Sequence, residues 1–140
     1  MSKRQREERS EGGEKKMKED PESAVIRAIE ENDMNLARFL LFSFVPYQLS
    51  SFTNLHLAAM AGFGNCIKVL IRNGADVNAR ERARMYTPLH MAVKRGDASV
   101  VDVLIDHGAE VDARAEYNTT ALHMAAERGH VDVVKVLIQN

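Results

Sequence analysis

From Pro21 onward, apolar residues fall at helical spacing and polar residues fill the positions between them. The pattern opens with A-V-I-R-A-I-E-E at Ala24. C-I-K-V-L-I, V-V-D-V-L-I and V-V-K-V-L-I follow, beginning at Cys66, Val100 and Val133. Each of these three runs stands at the same distance after a glycine: Gly62, Gly96 or Gly129. Each glycine in turn closes a shorter stretch that starts with threonine. Apolar positions about a turn apart, cut by glycine, predict pairs of short helices. Residues 1–20 are different. Met1 and Met17 are their only large apolar residues, among seven basic and six acidic ones. Such a segment cannot offset the entropy of ordering itself, so a disordered charged tail is expected over 1–20.

The threonine stretches complete a repeat. T-N-L-H starts at Thr53, T-P-L-H at Thr87 and T-A-L-H at Thr120, spaced 34 and 33 residues apart. N-G-A-D-V-N-A and H-G-A-E-V-D-A close the first two copies. Thr87 can cap a helix whose first position is Pro88. Leu89 and Ala92 then face inward. Ala58, Ala92 and Ala125 let helices approach closely, and Gly96 supplies a left-handed residue that ends the helix. A fainter unit lies upstream. With Asn32 placed under Gly96, A-V-I-R-A-I-E-E falls under P-L-H-M-A-V-K-R, and Leu36, Phe39, Leu40 and Leu41 fall under Val100, Val103, Leu104 and Ile105. Asp20-Pro21-Glu22 can start its first helix.

At these residues the chain resembles the ankyrin-repeat family, whose period is 33 residues with a T-P-L-H-x-A signature. The resemblance implies an all-α fold: an ankyrin-repeat solenoid of helix-turn-helix units joined by β-hairpin-like finger loops. Residues 21–52 form a degenerate N-terminal cap repeat, with its helical pattern over 21–46. Full repeats cover 53–86 and 87–119, and a partial C-terminal repeat covers 120–140. The resemblance also gives His56, His90 and His123 a role, hydrogen-bonding backbone across the loops between repeats. Equivalent positions in stacked units lie on the order of 10 Å apart, whereas zinc ligands converge on one ion at about 2 Å. One histidine per repeat therefore makes no shared metal site. Cys66, in a helix-two position, reads as a buried inert thiol.

Such proteins typically bind other proteins through finger tips and the concave face of helix one. Carried over by position, the tips are Gln48–Phe52, Arg80–Tyr86 and Arg114–Thr119. The candidate contact residues are Met60, Arg80, Arg82, Arg84, Met85, Tyr86, Lys94, Arg95, Glu116, Tyr117, Glu127 and Arg128. Within R-E-R-A-R-M-Y, Arg80, Arg82 and Arg84 oppose Glu81, and Lys94 and Arg95 add to the same face. Asp97, Asp102 and Asp106 lie on the opposite side. Tyr86 and Tyr117 flank the concave side. This pattern fits either a solvated mixed-charge surface or a groove for an acidic protein segment. Met85 or Tyr86 stands where the family favours glycine. Leu70, Asp76, Val77 and Asn78 resemble a pattern hydroxylated on asparagine in many ankyrin proteins. Asn78 is thus either a modification site or a plain turn residue.

Charge and composition narrow the remaining classes. The net charge is −1 over 140 residues, so charge as a whole points to neither nucleic acid nor membrane. One cysteine excludes an internal disulfide. No apolar run approaches the roughly 18 residues of a spanning helix, and the N-terminus lacks a secretory pattern. Cytoplasm, nucleus or both are expected. Lys3-Arg4 and Lys15, Lys16 and Lys18 resemble a bipartite nuclear localisation signal, or belong to a simple soluble tail. There is no phosphate loop and no nucleophile or metalloprotease motif, so an enzyme is not expected. Nor is a cofactor, a metal, a membrane or a small-molecule substrate. The expected function is a protein-interaction module, an adaptor or regulator. The alternative is a non-enzymatic nuclear regulator contacting a nucleic-acid complex. Val131–Ile138 repeats an internal apolar helix, so parts of Val133, Val136 and Leu137 are expected to lie exposed. That pattern suggests a fragment, a short isoform or an array that continues or associates.

Overall fold

The computed structural model describes residues 19–45 and 51–140. Lys3, Arg4, Lys15, Lys16 and Lys18, which resemble a nuclear localisation signal, lie outside the described residues, as do 46–50, which include the first part of the finger expected at 48–52. Among the described residues eight α-helices follow one another: α1 (Pro21–Glu30), α2 (Met34–Phe42), α3 (Asn54–Ala61), α4 (Gly64–Arg72), α5 (Pro88–Arg95), α6 (Ala98–Asp106), α7 (Ala121–Arg128) and α8 (Val131–Ile138). There is no strand among the described residues, and the all-α solenoid of helix pairs is the fold observed.

Capping sets the helix starts. The Thr53, Thr87 and Thr120 hydroxyls accept the N–H of His56, His90 and His123, while each histidine ring accepts the N–H of its own threonine. This is a capping box in which histidine takes the place usually held by Glu or Gln. Because Nδ1 accepts from threonine, the ring proton sits on Nε2, which is free to donate. His56 Nε2 donates to the Tyr86 carbonyl at 2.8 Å, and His90 Nε2 to that of Thr119 at 3.1 Å. One side chain thus starts its own helix and holds the following loop. Burial lowers the pKa of both rings and keeps them neutral. His123 is exposed and keeps only its capping-box contacts.

From α3 onward, like packs on like. Helix α3 lies against α5 and α5 against α7, while α4 lies against α6 and α6 against α8. Ala58, Ala92 and Ala125 are fully buried at these contacts, with Leu55, Leu70, Leu89 and Leu104 around them. Burying such side chains contributes roughly 1.5–3 kcal/mol each for the leucines. Cys66 is buried, and burial, with the Glu22 carboxylate beside it, pushes its thiol pKa up to about 12.

The first helix pair departs from the sequence alignment. Helix α1 packs on α4 and α2 on α3, crossing the order kept by later pairs. The Glu22 carboxylate accepts the Cys66 N–H at the start of α4, 3.0 Å away, and Arg38 donates to Asn54 at the start of α3. The alignment holds for the helix bounds, since Asp33 caps α2 as Asp97 caps α6, but burial does not follow it. Phe39 is 68% exposed and Leu36 42%, whereas Val100 is buried. Ile26 stands where the alignment puts His90, so α1 lacks the capping-box histidine of the later units. Asn32 does adopt the left-handed conformation that the alignment with Gly96 implies, at φ 64°.

The C-terminal expectation also needs correction. Val133 and Leu137 are buried and Val136 is half-buried, because α8 turns these residues toward α6 and α7. The large apolar residues that α7 and α8 expose are Leu122, Val131 and Ile138.

Candidate partner-binding face

The finger at Arg80–Tyr86 closes on itself without glycine. The Glu81 N–H donates to the Tyr86 carbonyl at 2.9 Å, and the Met85 N–H to that of Glu81 at 3.0 Å. Inside the loop the Glu81 carboxylate accepts the N–H groups of Ala83 (2.8 Å), Arg84 (2.6 Å) and Tyr86 (3.3 Å). It also accepts the Ser51 hydroxyl, 3.3 Å away in the preceding loop. Glu81 is 1% exposed. Burial pushes its pKa up, but the three backbone N–H groups and Ser51 outweigh that and hold it below the ordinary carboxylate value. In the sequence Glu81 only offsets the arginine charges; in the structure it is the internal scaffold of the finger. Met85 completes the turn at φ 62°, in the position of Asn118 in the next finger, which has φ 58°.

The arginines divide into braces and presented groups. Arg80 donates to the carbonyls of Arg114 (2.6 Å) and Met85 (3.3 Å), tying two fingers together. The Glu116 N–H donates to the Arg84 carbonyl at 2.9 Å, adding a backbone link between the same fingers. Arg95 lies over Gly62, donates to the Met60 carbonyl at 3.1 Å and sits 3.7 Å from Asp97. Arg80 and Arg95, both among the candidate contact residues, thus also brace the structure. Arg82 is exposed. The Arg84 side chain is 63% exposed and reaches Glu116 at 3.8 Å.

Between the fingers and α5 lies a cleft of about 410 Å³, lined by Phe52, Glu81, Ala83, Arg84, Tyr86, Met91 and Lys94. Phe52 stacks on His56 and Tyr86 leans on His90, each with ring centroids 5.6 Å apart. The capping-box histidines therefore support the aromatic walls as well as the helix starts. Tyr117 does not line this cleft. It is 90% exposed on the next finger at φ 63°. Glu127 and Arg128 are exposed at the end of α7, outside the cleft, and Met60 is half-buried. The candidate set omitted Met91, whose only signal was its place one residue after the T-P-L-H motif. Phe52 was named only as the end of a finger.

The other candidates have plain locations. The Asn78 side-chain amide donates to the Gly108 carbonyl at 3.1 Å and accepts the Glu110 N–H at 2.8 Å, bridging two turns. Asp97 caps α6 through the Val100 N–H. Asp102 and Asp106 are exposed. Among the described residues no cluster of His, Cys, Asp and Glu is suited to a metal ion. No helix there is long and apolar enough to cross a membrane.

Repeated helix pairs, fingers and a side cleft define a stacked repeat protein. The family model for ankyrin repeats (3 copies) matches residues 8–81 and 55–140. The chain belongs to the ankyrin-repeat family. No curated protein matches the chain. Ankyrin repeats are protein–protein interaction modules.

Proposed function

We propose that the chain is an adaptor or regulator that acts by binding, without catalysis, and that its partner presents an acidic segment to the second finger and α5. The burial of Glu81 carries this reading. Its carboxylate is held by three N–H donors inside the loop and by Ser51 of the preceding one, so the outer surface of the finger is left to Arg82 and Arg84, with Lys94 across the cleft. Opposite potentials favour encounter and fix register.

Replacing Arg82, Arg84 and Lys94 by Glu tests it while leaving the braces Arg80 and Arg95 intact. An acidic synthetic peptide should bind the native chain in a salt-sensitive manner and lose binding to the triple variant, with thermal unfolding unchanged. Equal binding by both proteins rejects the reading. Tighter, steeply salt-dependent binding of plain duplex DNA would favour a nucleic-acid partner instead.

Residence in the cytoplasm, the nucleus or both fits this role. A reporter carrying residues 1–20 tests whether Lys3, Arg4, Lys15, Lys16 and Lys18 direct nuclear import. Asn78 is proposed as a hydroxylation substrate, which mass spectrometry of its peptide tests.

A further inference from the structure

We infer that the cleft is an anchor pocket for one apolar side chain of the partner, placed beside the carboxylate that meets Arg84 and Lys94. The inference rests on the acidic-segment reading above and specifies its motif. The chemistry of the walls carries it. Phe52 and Met91 are buried from most directions yet still line the cleft, and Tyr86 is half-buried there. Among the polar groups of the lining, the Glu81 carboxylate is already bonded to three backbone N–H groups and Ser51, which leaves the cations Arg84 and Lys94 and the Tyr86 hydroxyl. An apolar side chain covers the hydrocarbon of Phe52, Tyr86 and Met91, while a neighbouring carboxylate meets Arg84 and Lys94. The volume, about 410 Å³, lies at the lower end of the roughly 300–1,000 Å³ typical of ligand pockets.

The rim supplies the second half of the motif. Arg84 is engaged with Glu116 at 3.8 Å through largely exposed groups, and such pairs contribute little. A ligand carboxylate can therefore take Glu116's place without a large loss. Extended chain advances about 3.3 Å per residue, so an apolar residue and an acidic one a step or two apart can reach floor and rim together. The expected ligand is an extended peptide with a Leu, Ile, Met or Phe flanked closely by Asp or Glu.

Three labelled ten-residue peptides test this against the full chain. One carries a central Leu within acidic residues, one has that Leu replaced by Ser, and one has the acids replaced by Gln. The Leu peptide should bind about tenfold or more tightly than the Ser peptide. Ala83→Trp, at an exposed position, should fill the cleft and erase that preference, and Glu116→Gln should tighten binding about twofold. If the Leu and Ser peptides bind equally and both need Arg84 and Lys94, the anchor pocket is rejected and the acidic-segment reading stands. If the Gln peptide binds as well as the Leu peptide, the acidic requirement is rejected. If no peptide binds at millimolar concentration, both are rejected. The peptide comparison uses the native chain, so it does not depend on any variant folding.

Discussion

The Glu81 carboxylate accepts the Arg84 backbone N–H at 2.6 Å, while the Arg84 guanidinium points away toward Glu116. One residue is thus pinned by its main chain and presented by its side chain. The same carboxylate also holds Ala83, Tyr86 and Ser51. Glu81→Gln should therefore destabilise the protein by about 1–3 kcal/mol, since it removes a charged acceptor and turns an amide NH₂ toward donors. Urea unfolding measures the loss. Amide exchange should speed up at Ala83 and Arg84 before the helices are affected. A variant as stable as the native chain would show that the loop holds its shape without the carboxylate.

Met85 occupies a left-handed backbone position, φ 62°, with a full side chain that is 45% exposed. That conformation costs a residue with a Cβ about 1–2 kcal/mol, and little of the exposed side chain is repaid by packing. Met85→Gly should raise stability by about 0.5–1 kcal/mol after the extra entropy of glycine in the unfolded chain is counted. The bond from Arg80 to the residue-85 carbonyl survives the change. Asn118→Gly should give a smaller gain, because asparagine tolerates the left-handed region better. Thermal melts of the two variants side by side check the ranking.

Gly96 combines two demands. It ends α5 at φ 85°, and a Cβ there would lie 2.7 Å from Cε1 of His130. Gly129 has a similar φ, 72°, with nothing within 4 Å of a Cβ. Alanine at Gly129 should cost about 1 kcal/mol from backbone strain alone. Alanine at Gly96 should cost at least about 1 kcal/mol more, from overpacking. His130→Ala in the Gly96→Ala background should recover that excess. Among the described residues the buried Nε2 of His130 has no hydrogen-bond partner, so deleting the ring breaks no bond to them at that atom. Denaturation midpoints of the double-mutant cycle decide the point.

Much of this architecture can be read along the chain. The helix pairs follow from Thr-x-Leu-His and a glycine recurring at 33 or 34 residues, because capping and helix ending are local events. Even the strained Met85 is marked, by its alignment with Asn118 two residues before threonine. The role of Glu81 is not marked. Its burial depends on Ser51, thirty residues earlier, and on N–H groups that converge only once the loop has closed. Arg80 and Arg95 look like their presented neighbours in sequence, and only the carbonyls of Arg114 and Met60 distinguish them. The crossed packing of α1 and α2 escapes for another reason. A helical period shows that a helix has an apolar face but does not name the helix it meets.

Acid should weaken the fold in two stages, both in the same direction. His56 and His90 have folded pKa values below the ordinary histidine value, because burial disfavours the charged ring. The unfolded chain therefore binds protons first, and stability present above about pH 6.5 falls as pH drops from there toward the folded values. Protonation of Nδ1 also removes the acceptor for the N–H groups of Thr53 and Thr87. Glu81 acts lower on the scale. Its folded pKa lies below the carboxylate reference of 4.5, so its contribution is intact above that pH and is lost as pH falls through the folded value. Urea midpoints should be level from pH 8 to 7, decline below about 6.5, and drop again below about 4.5. In His56→Gln/His90→Gln the first decline should shrink while the second remains; in Glu81→Gln the reverse should hold. A midpoint that rises on acidification through pH 6 would contradict the neutral, carbonyl-bonded state of these histidines.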